Sequence, residues 1–459
     1  MFIGRERELQ RLNERYEGKR FEFVAIYGRR RVGKTALIRE FIKDKKAIFF
    51  TAAENSKDRN LALLSKSILE ADASYSSFED AFEAVYTIAK SGRTVFVIDE
   101  YPYIAKSYKP LSSLLQQYID NKFKQTDIFI ILCGSSMSFM ENQVLGYKSP
   151  LYGRRTGQFK LEPFSFEVSR QYHKGFGKRE QAVLYGITGG IPQYLELMDG
   201  GKSLKYNIIH SFLTSDTMLF EEPVNLLKQE LREPQIYNDI ITAIAGGASQ
   251  LNKISDKSYV GDTSKTNKYL RSLISLGIVK KEESIMAQSK RKSIYRLNDG
   301  MFRFWYRFVP HNLAKIHLGL GESVYASIES QISDFMGEVF EDICKQWLWK
   351  ENIENRLPFD FQDCGRWWGT NPLHKAEQEI DILAFSAGNK AENKQAIFCE
   401  CKWTNENISD RIIDELIDKS AMFAYEKKYY YLFSKSGFTS AALARAGDNI
   451  RLISFGEMF

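Results

Sequence analysis

The chain has 459 residues, which at roughly 150 residues per domain predicts about three domains and excludes a single core. Hydrophobic residues make up 44% and charged residues 27%, a globular composition that excludes a disordered or fibrous chain. The net charge of +6 is concentrated in residues 251–300, where eleven Lys and Arg stand against five Asp and Glu, so an anionic partner is expected there.

Residues 1–160 alternate strand-like apolar runs (21–27, 47–51, 95–98, 128–132) with helix-length mixtures, the rhythm of a parallel sheet covered by helices. Residues 161–232 lack such runs, contain Gly189-Gly190-Ile191-Pro192 and are expected to form a helical lid. From 233 to 310 the pattern predicts helices at 236–245, 251–258 and 263–276, then β-runs at 278–282 and 293–297, the order of a winged helix-turn-helix. The aromatic segment MFRFWYRFV (301–309) is expected to pack between domains. Residues 325–350 form an amphipathic helix, followed by strand-like 379–385 and 395–402, a helix from 408 to about 425, a strand at 429–433 and a last αβ pair, so 325–459 is read as a further small α/β domain.

The longest apolar runs, such as 128–133, fall far short of the ~18 residues that a membrane span needs, and the opening MFIGRERELQ is too charged for a secretory signal. A soluble, cytoplasmic protein without a membrane partner is expected. The five cysteines suggest reduced thiols; Cys399 and Cys401, with Cys364 and His374, match no zinc spacing.

Gly28-Arg29-Arg30-Arg31-Val32-Gly33-Lys34-Thr35 fits G-x-x-x-x-G-K-[ST] between a predicted strand and a predicted helix that begins at Ala36. The backbone N–H groups of such a loop point at phosphate oxygens, Lys34 reaches the β- and γ-phosphates of ATP, and Thr35 offers its hydroxyl to Mg²⁺. The run 95–98 ends in Asp99-Glu100, a metal-holding carboxylate followed by a candidate general base. The next strand ends at Ser135, where a hydroxyl could sense the γ-phosphate, and a turning serine is the alternative. Arg154, beside Arg155, is a candidate arginine finger or a solvated surface arginine.

Together FIGRERELQRL, YGRRRVGKT, VFVIDEYPYI, LCGSS, SPLYGRR and GGIPQYL resemble the archaeal-type P-loop ATPases of AAA+/STAND kind. The resemblance implies that Phe2 to Arg5 lie near the adenine and that Pro192 reports nucleotide state to the helical part. It also implies a winged helix after the ATPase, and in some members a C-terminal domain of unknown function related to restriction-type nucleases.

Helix 263–276 places Lys265, Lys268 and Arg271 on one face, and Lys290, Arg291 and Lys292 fall in the expected wing, so duplex DNA is the expected partner; an interdomain packing module is the alternative. In the C-terminal part, a hairpin closing near residue 390 brings Asp381 opposite Cys399 or Glu400, and Glu400 and Lys402 share a strand face. This arrangement resembles the PD-(D/E)XK restriction-endonuclease superfamily, with Asp381 and Glu400 as metal ligands, Lys402 as the catalytic cation and Glu341, or Glu338 one turn earlier, as a further carboxylate. The overall expectation is a Mg-dependent ATPase coupled to a DNA-binding, nuclease-like region. The rivals are a signalling switch with a protein partner or homo-oligomer, and a DNA-binding regulator.

Overall fold

The structure is a computed structural model that describes residues 2–286, 293–386 and 394–459. The chain forms two compact units: Met1–Phe164 with Ile191–Tyr194, and Ser165–Gly190 with Leu195–Phe459. Of the four expected parts, the segments 233–310 and 325–459 and most of 161–232 share the second unit, while 161–164 and 191–194 belong to the first.

In the first unit, β1 (Glu22–Tyr27), β2 (Ala47–Thr51), β3 (Val95–Asp99), β4 (Phe129–Gly134) and β5 (Gly157–Lys160) form one sheet in the order β2-β3-β4-β1-β5. All its pairings are parallel. Every residue of β1, β3 and β4 is buried, as expected for a parallel sheet with helices on both faces, and this explains their unbroken apolar runs. Helices Lys57–Leu69, Phe78–Lys90 and Leu111–Asn121 cover one face through Leu64, Phe82 and Leu115, which pack with Phe96 and Ile130. Because β4 lies between β1 and β3, the carboxyl ends of three neighbouring strands are side by side, the usual ligand-binding end of such a sheet.

In the second unit, the aromatic helix Gly300–Phe308 sits centrally, as predicted for a packing segment. Phe304 meets Phe212 (centroids 4.9 Å apart) and Phe335 (5.6 Å), and Trp305 Nε1 donates to the Phe220 carbonyl at 2.7 Å. Gly300 is required there, because a Cβ would lie 2.2 Å from the Gly186 carbonyl oxygen on helix Lys178–Thr188. Helices Pro234–Ala245, Leu251–Lys257 and Thr263–Ser275, then the antiparallel pair β6 (Val279–Glu282) and β7 (Ile294–Leu297), follow the predicted order closely.

A 33-residue helix, Gly321–Ile353, leads into a second sheet of β8 (Phe361–Asn371), β9 (Ala376–Ser386), β10 (Gln395–Lys402), β11 (Lys427–Ser434) and β12 (Ile450–Ser454), in the order β12-β11-β10-β9-β8. Its β8-β9-β10 part is antiparallel and its β10-β11-β12 part parallel. The β9–β10 pairing runs from Ala396–Phe385 to Cys399–Ile382, and just beyond it Asp381 Oδ2 accepts from the Cys401 N–H. Helix Asp410–Ser420 is shorter than predicted and packs Ile413 and Leu416 with Phe398 and Leu432.

The β6–β7 hairpin is fastened to the long helix and to β8. Lys280 reaches Asp342 (3.5 Å), Arg296 and Arg303 reach Glu338 (3.4 and 3.1 Å), and Ile285 N donates to the Arg366 carbonyl at 2.9 Å. Part of the basic excess is thus taken up by internal ion pairs, and Glu338 is tied to Arg296 of the hairpin and to Arg303 of the aromatic helix.

Candidate functional site

The turn after β1 is the phosphate loop. A Cβ at Gly28 would lie 2.4 Å from the Leu161 carbonyl oxygen, and Gly33 has a left-handed φ of 88°, so both glycines are sterically required. Between them Arg30 Nη2 donates to the Tyr103 hydroxyl at 2.9 Å, Arg31 takes a φ of 70° with its guanidinium 5.8 Å from the Tyr194 ring, and Arg29 and Val32 are buried. Lys34 begins helix Lys34–Ile42, and its Nζ donates to the carbonyls of Gly28 and Arg29, both at 2.9 Å. Thr35 and Ala36 complete the first turn, and a Cβ on Gly33 would come within 3.8 Å of Pro192 Cγ, which places Pro192 beside the loop.

Two carboxylates face this helix start. Thr35 Oγ1 donates to Asp99 Oδ2 at 2.9 Å, and the Glu100 backbone N–H donates to Asp99 Oδ1 at 3.0 Å. Glu100 itself has a φ of 52°, a strained conformation for a non-glycine residue and one found at functional turns. Ser135 Oγ, at the end of β4, lies 3.0 and 2.9 Å from the two Glu100 carboxylate oxygens. The Thr35 hydroxyl and the buried Asp99 carboxylate are hard oxygen donors on one point beside the loop, which fits a Mg²⁺ carried by a nucleotide.

Arg5 is a further residue of this centre. Its buried guanidinium donates to the carbonyls of Val32 (3.1 Å) and Glu162 (2.6 Å) and lies 4.5 Å from the Phe164 ring, so the N-terminal segment is pinned to the phosphate loop. No spacing in the sequence marks it, and only the resemblance pointed to the segment Phe2 to Arg5. Arg154, by contrast, is not brought to the phosphate end. It precedes Gly157, which pairs with Val24 near the amino end of β1, and its Nε and Nη2 donate to Asp120 Oδ2 at 2.8 and 2.7 Å. The structure therefore favours the surface-arginine alternative within this chain.

The second centre lies where β9, β10 and the long helix meet. Asp381 and Glu400 are buried, at 9% and 7% exposed. Asp381 Oδ2 accepts from the Cys401 backbone N–H at 2.8 Å; Glu400 accepts from Lys402 Nζ at 2.6 Å and from Lys419 Nζ at 3.2 Å. Arg366 Nη2 donates to both carboxylate oxygens of Glu341 at 2.7 Å. Burial, then the neighbouring Asp381, pushes the Glu341 carboxyl up to about 8; burial, then Glu400, pushes Asp381 up to about 6.

Each of these acidic residues has a partner of its own in the structure. Among the described residues no group of three or more His, Cys, Asp or Glu is placed to hold a metal ion. Lys402 and Lys419 pair with Glu400, and Arg366 pairs with Glu341. Cys344, Cys364, Cys399 and Cys401 are buried free thiols.

Lys265, Lys268 and Arg271 are exposed on helix Thr263–Ser275, with Leu270 and Leu273 buried on its other side. Lys290, Arg291 and Lys292 lie outside the described residues. No helix among the described residues is long and apolar enough to cross a membrane.

Comparison with known proteins agrees with the first centre. Residues 2–198 match a family described as an ATPase domain predominantly from Archaea, and residues 305–413 match one described as Archaea bacterial proteins of unknown function. An uncharacterised protein of Methanocaldococcus jannaschii is 33% identical over 442 residues, covering 95% of this chain and 96% of that protein. An uncharacterised ATP-binding protein of the same organism is 44% identical over 46 residues, 10% of this chain and 78% of that one. The Walker-type ATPase of Pyrococcus abyssi shares the fold with a TM-score of 0.51 and 20% identity, over 67% of this chain and 96% of that one. The chain belongs to the family of the larger Methanocaldococcus protein, with an archaeal-type P-loop ATPase domain followed by a C-terminal domain of the unknown-function family.

Proposed function

We propose that this ATPase hydrolyses MgATP at the β1–β3–β4 edge and couples its nucleotide state to DNA held by the second unit. The observation that carries the hydrolytic reading is the adjacency of the Thr35–Asp99 and Ser135–Glu100 pairs on neighbouring strand ends beside the phosphate loop. Thr35 and Asp99 would hold Mg²⁺, which supplies charge neutralisation on the phosphates. Lys34 exchanges its loop carbonyls for β- and γ-phosphate oxygens. Glu100, oriented by the Ser135 hydroxyl, takes a proton from the attacking water as its oxygen bonds to the γ-phosphorus and the bond to the ADP oxygen breaks.

The exposed Lys265, Lys268 and Arg271 support the DNA half of the reading, since such a helix face can sit on duplex phosphates. The test is ATP turnover and DNA affinity of the full chain over a salt series. Duplex DNA should change turnover, and replacing all three residues with Ala should flatten the salt slope by about 0.9 for each phosphate that is no longer neutralised. A triple variant that binds and responds as the parent does would leave the three-helix segment as a packing module.

A second reading of the C-terminal centre, a nuclease-like fold that senses nucleic acid without cleaving it, is favoured by the lysines on Glu400 and the arginine on Glu341. It predicts no nicking of supercoiled plasmid with Mn²⁺. Nicking that disappears in Asp381→Ala would instead assign Asp381, Glu400 and Lys402 to phosphodiester hydrolysis.

A further inference from the structure

A cleft of about 940 Å³ opens in the second unit between the start of helix Leu251–Lys257, helix Thr263–Ser275, the β6–β7 hairpin and the β8–β9 pair. Its polar lining has a specific chemistry. Three carboxamides, Gln250, Asn252 and Asn267, stand beside the cations Arg271 and Lys281 and the indole of Trp368. Gln250, Asn252 and Arg271 are exposed, and among the described residues the side chains of all three and of Asn267 have no hydrogen-bond or ion-pair partner. Lys281 has Glu283 at 3.0 Å, an exposed pair that water screens.

Trp368 and its neighbour divide along the strand. Trp367 packs its ring edge-on to Phe423 at 5.1 Å, in the core beneath the sheet. Successive side chains of a strand point to opposite faces, so Trp368 stands on the other face, half-buried and lining the cleft. Its backbone is fixed, because Trp368 N donates to Ser284 Oγ at 2.9 Å and its carbonyl accepts from the same hydroxyl at 2.9 Å. A tryptophan whose backbone is fixed at a cleft wall offers its indole as a stacking platform.

We infer that this cleft binds an unpaired nucleic-acid strand by its bases, a step that rests on the reading of the second unit as a nucleic-acid holder and names what it holds. A carboxamide presents a donor and an acceptor side by side, the pattern that matches a nucleobase edge. An aromatic face stacks on any base, and Arg271 and Lys281 meet the phosphates. The strand's phosphates are assigned to the cations Arg271 and Lys281 and its bases to Trp368. A duplex hides the Watson–Crick edges and the faces of its bases, so Lys265 and Lys268 serve duplex phosphates while the cleft serves separated strands.

The experiment is fluorescence anisotropy of the full chain with three labelled probes of equal length, about twelve nucleotides: oligothymidylate, an abasic oligomer of the same charge, and a duplex. Oligothymidylate should bind at least about tenfold more tightly than the abasic strand, as expected for one or more stacked bases. Trp368→Ala should remove that advantage and leave abasic binding unchanged, which also shows that the variant is folded. Trp368→Phe should restore most of it, and Asn267→Ala should weaken only the base-bearing strand. Equal affinity for oligothymidylate and the abasic strand, or an unchanged Trp368→Ala, overturns the inference. Duplex binding that falls in a Lys265→Ala, Lys268→Ala variant would then keep the broader DNA reading, whereas no binding of any probe overturns both.

Discussion

The two acidic centres of this protein hold their carboxylates in opposite ways. Beside the phosphate loop, Asp99 and Glu100 accept from hydroxyls and from backbone N–H, neutral donors that orient a carboxylate without cancelling its charge. In the C-terminal sheet, Glu400 and Glu341 accept from two ammoniums and a guanidinium. A carboxylate with neutral partners keeps its charge for a cation or a proton, whereas one with cationic partners has to give up an ion pair before it can act. The comparison separates a phosphate-loop site whose acids keep neutral donors from a C-terminal cluster in which Glu400 and Glu341 are already ion-paired.

Lys34→Ala should have the largest effect, removing detectable ATP binding, because the lysine supplies the charge that the phosphates need. Measurable affinity in equilibrium binding would put the nucleotide elsewhere. Next is the pH dependence of stability. His173 is buried with both ring nitrogens lacking a hydrogen-bond partner among the described residues, and burial holds its pKa down to about 4. Its unfolded form binds a proton below about 6.5 while the folded form does not, so stability should fall as pH drops from about 6.5 to 4, by up to about 3 kcal/mol. Denaturation across that range should lose this slope in His173→Phe.

Glu341 and Asp381 act with the opposite sign. Their folded pKa values are raised to about 6 for Asp381 and about 8 for Glu341, so the folded state binds more protons and should lose stability as pH rises from about 4, the unfolded carboxyl range, to about 8, with the Asp381 share falling between about 4 and 6. Asp381→Asn should flatten that limb; an unchanged slope would mean that the carboxylates do not repel. Ser135→Ala should lower ATP turnover by about tenfold with binding unchanged, since it frees the Glu100 side chain to misorient. Arg154→Ala is the smallest perturbation. Loss of its exposed pair with Asp120 should cost no more than about 1 kcal/mol and leave turnover intact. A sharp drop in turnover would indicate an arginine supplied to a neighbouring copy.

The ATPase centre was legible in the sequence because its residues are local: a loop of eight, a strand that ends in two acids, and a strand that ends in Ser135. The β9–β10 hairpin was legible for the same reason, since a hairpin fixes pairing by counting. The edge strand β5, only four residues of mixed burial, left no apolar run to find. β8 was missed because FQDCGRWWGTN has two glycines, no alternation, and bulges at Phe361/Asp363 and Gly365/Trp367. The ion pairs that divide the two centres were not legible at all. Arg366 meets Glu341 and Lys419 meets Glu400 through tertiary packing, which no spacing in the sequence encodes.

The central claim, that neutral partners leave the acids of the first centre free to do chemistry, is tested most directly by single-turnover ATP hydrolysis in Glu100→Gln, with MgATP binding measured on the same sample. The variant keeps the Ser135 contact and loses only the basic oxygen. The account predicts unchanged binding and a rate lower by about a hundredfold or more. Hydrolysis at the parent rate with binding intact would contradict it.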